Sequence, residues 1–262
     1  MKIHHLNCGS LRSPGAPPLV CHVLLIETDD GLMLVDSGFG IQDCADPGGR
    51  LGITRFIVNP VLDADEAAVR QIERLGFAAE DVRHIVATHF DLDHIGGIAD
   101  FPAAQVHVTA AEHLAAITRG SVFDKLRYRP AQWAHGPAVV EHDPRGESWR
   151  GFAAAKEILP GVVMVSMPGH TQGHTCVAVD IGNRWILHAG DAFYHYGTLD
   201  GKTKVPVVLR LSESVLAVDR KQVMANQQRL AELHQRGESD LMVINAHDPT
   251  LLKDAQSAAA AD

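Results

Sequence analysis

The chain has 262 residues, of which 46% are hydrophobic and 21% charged, a composition typical of a globular protein. Its formal net charge of -9 at pH 7 argues against nucleic acid or an anionic membrane as the main partner. No apolar run approaches the roughly 20 residues that a membrane-spanning helix needs, and residues 1–15 lack the apolar segment of a signal peptide.

The first part of the chain alternates predicted strands and helices. Apolar runs bounded by Gly, Asp or Pro predict strands, and apolar residues at helical spacing predict helices. In chain order, the sequence predicts strands at 20–28 and 32–38, a long loop at 39–62, a helix at 63–76, a strand at 82–89, a short helix from about His94, a strand at 104–109 and a helix at 110–120.

The second part begins with an irregular segment, 121–150, in which Tyr128, Trp133 and Trp149 make a candidate lid for an apolar acyl chain; a packed surface excursion is the alternative. The remaining predicted elements are strands at 161–170, 175–182 and 184–191, a long helix at 212–237 with one possible break, a strand at 240–249 and a frayed tail at 255–262. A basic run, Arg119, Lys125, Arg127 and Arg129, is interpreted as a solvated helix face.

These elements predict one domain, residues 1–262, built from two β/α halves at about 1–110 and 160–255 with an insertion at 121–150. Four scattered cysteines without a CxxC pattern indicate reduced thiols. We therefore expect a cytoplasmic protein with a small-molecule substrate, no nucleic-acid partner and no membrane partner; the sequence leaves the oligomeric state open.

Potential metal ligands follow four predicted strands. The stretch THFDLDHIGG, residues 88–97, places His89, Asp91, Asp93 and His94 within six residues. Alternate side chains of an extended segment point the same way, so the first three can share a face. Further candidates are His170 and His174 in PGHTQGHT, Asp191 in HAGD and His247 in NAHDP. Imidazole and carboxylate ligands suit divalent first-row metals.

These motifs, in this order, resemble those of the metallo-β-lactamase-fold hydrolases, which carry an H-x-H-x-D-H motif after a strand. The resemblance spans most of the chain and implies an α/β fold, an αββα four-layer sandwich with metals at one edge between two sheets. It implies that His89 and His170 bind a first metal ion, that Asp93, His94 and His247 bind a second, and that Asp191 bridges them. His174 is expected to support a ligand by hydrogen bonding.

Asp91 occupies the position of the motif's second histidine. The preferred interpretation makes Asp91 a ligand, so that three carboxylates balance two divalent cations and one hydroxide. A mononuclear site is the second interpretation, and a relic site in a binding protein the third. The expected cofactor is two divalent metal ions, zinc first, with manganese or iron as alternatives.

The resemblance implies hydrolysis by a metal-bridging hydroxide, with Asp93, Asp191 and Tyr194 as the catalytic residues. Tyr194 and the AHDP stretch resemble N-acyl-homoserine lactone lactonases, which also place a tyrosine three residues after the bridging aspartate. A carboxylic ester or lactone is therefore the expected substrate. The alternatives are a glyoxalase II-like thioesterase and a non-catalytic metal-binding protein; Tyr194 can also be a packing residue.

Overall fold

Two six-stranded β-sheets, packed face to face, form the centre of the computed structural model, which describes residues 1–260. The first sheet contains, in spatial order, β1 (Lys2–Leu11), β2 (Leu19–Thr28), β3 (Gly31–Val35), β4 (Val82–Val86), β5 (Gln105–Thr109) and β6 (Ala138–His142). The second contains β7 (Glu147–Trp149), β8 (Phe152–Leu159), β9 (Val162–Ser166), β10 (Thr175–Asp180), β11 (Trp185–His188) and β12 (Leu241–Ile244), also in neighbouring order.

Helices cover the outer faces of both sheets and connect their strands. They are α1 (Ile41–Ala45), α2 (Pro47–Leu51), α3 (Arg55–Val58), α4 (Ala68–Arg74), α5 (Leu92–Ile95), α6 (Ala110–Thr118), α7 (Val122–Arg127), α8 (Gly197–Asp200), α9 (Val207–Leu216), α10 (Arg220–Gln235) and α11 (Pro249–Ala259). Each helix in the described part of the chain is too short or too polar to traverse a bilayer.

Three apolar layers hold the architecture together. Residues of both sheets, such as Ile26 and Met33 of the first and Met164 and Val177 of the second, pack in the central layer. A second layer joins the first sheet to α4 and α6, and a third joins the second sheet to α10. This arrangement confirms the expected α/β sandwich of the metallo-β-lactamase type.

The sheet topology brings distant segments to one edge. Strands β3, β4 and β5 run parallel in the first sheet, and β11 and β12 run parallel in the second. Parallel neighbours present their carboxyl ends at the same edge of a sheet. His89 follows β4, Asp191 follows β11 and His247 follows β12, so the topology gathers residues far apart in sequence.

Most predicted strands are confirmed, and all four cysteines are free thiols. The long loop predicted at 39–62 is wrong, because α1, α2 and α3 lie there. The irregular segment predicted at 121–150 is also wrong, since it supplies α7, β6 and β7 and so adds a strand to each sheet.

The helix predicted at 212–237 is two helices, α9 and α10, and the break falls at residues 217–219. Asp219 caps α10 by accepting hydrogen bonds from Lys221 N and Gln222 N. Much of the tail predicted to be frayed belongs to α11, which Asp248 caps and Pro249 begins; residues 261–262 lie outside the described residues. The single-domain organisation stays a prediction.

Candidate metal centre

Seven side chains converge at the shared edge of the two sheets. They form two groups that can each hold a metal ion, the first with His89, Asp91, His170 and Asp191, the second with Asp93, His94 and His247. In each group the candidate ligand atoms all lie within 4.8 Å of one another. The structure therefore brings together all seven residues that the sequence predicts as ligands.

Local sequence explains how residues 88–97 present four of these side chains. Asp91 is the N-cap residue of α5, and His94 lies on that helix. Gly96 and Gly97 permit close backbone packing beneath it: a Cβ at Gly96 would lie 2.0 Å from Asp43 Oδ2, and one at Gly97 would lie 2.6 Å from Ser37 O. Any larger residue at either position would push the cluster out of place.

Asp191 lies between the two groups and offers one oxygen to each. Its Oδ2 is 3.8 Å from His89 Nε2 and 3.4 Å from His170 Nε2. Its Oδ1 is 3.2 Å from His94 Nε2 and 3.0 Å from His247 Nε2. The carboxylate thus has the placement that a bridging ligand needs.

The donor atoms at the centre fit bound cations. His89 Nε2, His94 Nε2 and Asp191 Oδ1 are buried, and they have no hydrogen-bond partner among the described residues. Buried polar atoms without partners are costly, and a coordinated cation would satisfy all three. Two groups of imidazole and carboxylate donors also match the chemistry of divalent first-row metals.

Hydrogen bonds to the Nδ1 atoms orient the imidazole rings of the candidate ligands. His94 Nδ1 donates to Asp36 Oδ2 at 2.8 Å, and Thr88 N and Oγ1 donate to the same carboxylate. His89 Nδ1 donates to Thr88 Oγ1 at 3.0 Å. Asp36 adopts a positive φ of 58° to reach this position, a backbone conformation that is uncommon for residues other than glycine.

His174 takes the supporting position expected for it. Its Nδ1 donates to Met167 O at 3.0 Å, and its Nε2 accepts from Asp191 N at 2.9 Å. His247 is fixed in a similar way, because its Nδ1 donates to Val20 O at 2.8 Å. The bonds from Nδ1 to backbone carbonyls place a proton on Nδ1 in both rings. In the neutral form of His247 this leaves Nε2 unprotonated and directed at Asp191.

Asp91 is shared between the first group and a buried arginine. Its Oδ2 lies 3.0 Å from His170 Nε2 and 3.4 Å from His89 Nε2, whereas its Oδ1 lies 3.2 Å from Arg127 Nε. Arg127 also donates to His170 O at 2.7 Å and to Leu216 O at 2.5 Å. The guanidinium therefore joins Asp91 to the segment that carries His170.

Protonation states in the first group favour cation binding. Burial raises the pKa of Asp91, but the charges of Arg127 and His89 outweigh it and hold the pKa well below its usual range. Burial, followed by the Arg127 charge, lowers the pKa of His170 to about 4. Near neutral pH the carboxylate is charged and the imidazole neutral, as metal ligands must be.

A cavity of about 460 Å³ opens over both groups. Asp91, Asp93, Asp191, Tyr194 and His247 line its floor, and the walls are mostly apolar. Asp93 Oδ2 lies 3.7 Å from His247 Nε2. The Tyr194 ring centroid lies 5.1 Å from that of His247, which puts the phenol beside the second group.

The prediction that Tyr128 and Trp149 belong to a lid over the site is wrong, because neither residue lines the cavity. Tyr128 is buried and donates to Glu112 Oε1 at 3.2 Å, and Trp149 packs against Trp185, whereas Phe123 and Leu126 of α7 line the cavity instead. The segment therefore reaches the site through α7, whose apolar side chains the sequence reading passed over.

The sequence reading also missed two buried charged residues. It placed Arg127 on a solvated face, but Arg127 is buried beside Asp91. It gave Glu112 no role, yet this carboxylate accepts from Phe90 N at 2.9 Å and from Gly173 N at 3.0 Å, and so ties together the segments that carry His89 and His174. Only Glu112 carried a sequence signal, since it is a charged residue in the mostly apolar helix AAEHLAAIT.

The model of the metallo-β-lactamase superfamily matches residues 54–234. The chain belongs to this superfamily. A "Probable metallo-hydrolase" of Mycobacterium tuberculosis is 59% identical over 262 residues, 99% of this chain and 84% of that protein. "N-acyl homoserine lactonase AttM" of Agrobacterium fabrum is 30% identical over 86% of this chain and 80% of its own length.

Solved members of the superfamily have the same fold. An N-acyl homoserine lactone hydrolase with the product N-hexanoyl-L-homoserine at its catalytic metal centre aligns with a TM-score of 0.68, 20% identity and coverage of 97% of this chain and 95% of that chain. AidC, described as a dizinc quorum-quenching lactonase, aligns with a TM-score of 0.59 and 18% identity over 89% of this chain and 74% of that chain. Sequence similarity thus places this superfamily member among the metallo-hydrolases, with lactonases among its relatives.

Proposed function

We propose that this chain is a dinuclear metal-dependent hydrolase that cleaves a carboxylic ester or a lactone. The observation that carries the proposal is the placement of Asp191, whose two oxygens face different groups of candidate ligands. A carboxylate in this position can hold two cations a few ångströms apart. Zinc is the first expectation, and the AidC relative is described as dizinc.

When bound, two divalent cations generate a nucleophile from water near neutral pH and polarise the carbonyl of the substrate. Side chains of this protein supply the proton transfer and the hydrogen bond to the substrate. Hydrolysis adds OH to the acyl carbon and breaks the bond to the ring or ester oxygen, which needs a proton. Asp93 lines the cavity and can carry the proton released by water to that leaving oxygen.

Tyr194 is placed to donate a hydrogen bond to the substrate. Burial raises the pKa of its hydroxyl well above the usual value, so the group remains a donor throughout the working pH range. The phenol lines the cavity next to His247. A donor here can stabilise the carbonyl oxygen as negative charge develops on it.

The cavity walls favour an acyl group over glutathione. Leu19, Val58, Phe123 and Leu209 give an apolar lining suited to an alkyl chain. Among the described residues that line the cavity, Arg127 is the only Lys or Arg, and it is paired with Asp91. A glutathione thioester carries carboxylates that this lining does not match, so the thioesterase is the second candidate.

A hydrolysis panel tests the proposal directly. Protein reconstituted with Zn²⁺, Mn²⁺ or Fe²⁺ is assayed against N-acyl lactones, aryl esters, glutathione thioesters, phosphodiesters and β-lactams. We expect the highest kcat/KM for a lactone or ester with a medium-length acyl chain. Faster thioester turnover would replace the proposal with the second candidate. No turnover of any class by protein with two bound metals would favour a non-catalytic metal-binding protein.

A further inference from the structure

The surface around the cavity opening is unusually apolar. Four segments, residues 11–19, 52–62, 119–129 and 202–218, contribute walls to the cavity, and we call them the mouth segments. Eleven of the sixteen exposed large apolar residues in the described chain belong to them. Six of these side chains are more than 60% exposed, namely Ile53, Phe56, Ile57, Val122, Val207 and Leu211. Clustered exposed apolar surface marks an interaction site.

Contacts between the segments hold them as one surface. Ser13 Oγ donates to Val58 O at 2.8 Å, and Thr54 Oγ1 donates to Leu126 O at 3.0 Å. Arg127 connects α7 to the end of α9 through Leu216 O. These hydrogen bonds therefore link the four segments, which together line the cavity.

Helix α9 is apolar on two sides. Leu209 and Leu216 line the cavity, whereas Val207, Leu211 and Val215 are exposed to solvent. The exposed residues are four apart, so they form one stripe along the helix. Such a stripe is not needed to bury the helix against the protein and has no partner among the described residues.

Cations surround this apolar surface although the chain as a whole is acidic. The mouth segments contain nine Lys and Arg residues and only two Asp and Glu residues, in a chain of net charge -9. Arg12, Lys125 and Arg210 are exposed and alternate with the apolar side chains. Apart from the buried Arg127, the basic run at 119–129, interpreted from sequence as a solvated helix face, is thus part of a local basic surface.

We propose that the mouth surface docks onto a lipid bilayer with anionic headgroups. Apolar side chains can enter the interface while the surrounding Lys and Arg contact phosphates, the combination that interfacial membrane binding needs. Docking would place the cavity opening at the lipid, where molecules with acyl chains concentrate. This inference concerns binding and stands independently of the proposed hydrolysis. It differs from the expectation of no membrane partner, which was based on net charge, because net charge averages over a surface that is locally basic.

A second copy of the chain fits this surface less well. A two-fold interface brings the same patch of both copies together, which would place the cations of one mouth against those of the other. Nucleic acid would use the cations but leave the exposed aliphatic side chains without a partner. A lipid interface accommodates both features at once.

Vesicle co-sedimentation of the full-length, metal-loaded protein tests the inference. The probes are vesicles of phosphatidylcholine alone and of phosphatidylcholine with phosphatidylglycerol in equal parts. We expect binding to the anionic vesicles that weakens as salt is added. Phe56→Asp and Leu211→Asp should each lower the partition coefficient at least about tenfold, since each removes a large apolar anchor. Leu75→Asp, at an exposed apolar residue outside the mouth segments, is the matched control and should bind normally.

Charge reversal gives a second readout. Lys125→Glu and Arg210→Glu should each lower binding to anionic vesicles at least about fivefold, whereas Lys253→Glu on α11 should not. Circular dichroism confirms that each variant is folded. The inference is overturned if the wild type does not bind anionic vesicles, or if mouth and control variants bind equally. It is also overturned if light scattering finds a stable dimer that Leu211→Asp dissociates.

Discussion

Arg127 Nε lies 3.2 Å from Asp91 Oδ1, and this buried ion pair accounts for the unusual aspartate of the motif. The expectation of a neutral centre counted three carboxylates against two dications and one hydroxide. Arg127 adds a positive charge and Asp36, bonded to His94, adds a negative one, so the extended site is again neutral. Asp91 therefore has two separable roles, as a candidate ligand and as the counter-ion of Arg127.

A double-mutant cycle separates these roles. Asp91→Ala should remove one metal equivalent and should also lower the free energy of unfolding by about 3 kcal/mol, because it leaves the Arg127 charge buried and unpaired. The double variant Asp91→Ala/Arg127→Met should recover most of that stability but not the lost metal. Elemental analysis gives the metal content, and urea unfolding of the metal-free proteins gives the stability.

Two further outcomes sharpen this cycle. Asp91→His should restore the second metal equivalent, and it should do so best together with Arg127→Met, which removes the unpaired cation. If wild type and Asp91→Ala bind the same number of ions with equal affinity, Asp91 serves only as the counter-ion of Arg127 and a mononuclear centre is favoured.

The ion pair also illustrates what sequence reasoning could and could not reach. His89, Asp191 and His247 were predictable because each follows a strand with a recognisable apolar run, and the topology of parallel strands then brings the ends together. Arg127 was not predictable, because its partner lies 36 positions earlier and no local pattern distinguishes a buried cation from an exposed one. Short helices such as α2 were missed because Gly and Pro dominate the segment, although Asp46 and Pro47 form a proper helix start.

The bridging placement of Asp191 leads to a prediction on activity. Asp191→Ala should lower kcat/KM by several orders of magnitude, since the residue faces both groups of ligands and its loss removes the shared anchor. Metal content should fall below that of Asp91→Ala. The comparison uses steady-state kinetics on the best substrate of the panel together with metal analysis. Near-normal turnover in Asp191→Ala would require a nucleophile generated elsewhere.

Tyr194 provides a test of substrate positioning. Tyr194→Phe removes only the hydroxyl, and kcat should fall by roughly ten- to a thousandfold, as for the loss of one oxyanion donor. Metal content and the melting temperature should stay unchanged, because the ring still packs near His247. Tyr196→Phe, a half-buried neighbour that does not line the cavity, is the matched control. An unchanged kcat in Tyr194→Phe would leave Tyr194 with a packing role alone.

The titration of Glu213 on α9 should make the stability of the protein depend on pH. It is buried, accepts a hydrogen bond from Tyr194 N at 2.7 Å, and faces Arg210, Asp191 and Gln227. Burial raises its pKa from 4.5 to about 7 in the folded protein. Between these values the folded chain keeps a proton that the unfolded chain has released, so this group makes the free energy of unfolding decrease as pH rises from 4.5 to about 7.

Glu213→Gln keeps a hydrogen-bond acceptor for Tyr194 N and removes the charge. The variant should have the same free energy of unfolding as wild type below pH 4.5, where both side chains are neutral. As pH rises, its free energy of unfolding should become larger than that of wild type. Above pH 7 the difference should level off at about 3 kcal/mol, the free energy that corresponds to this pKa shift. Urea unfolding of both proteins across this range, in the same metal-free buffers, cancels the contribution of the histidines. Parallel stability curves for the two proteins would mean that Glu213 titrates normally and that its burial is relieved by water.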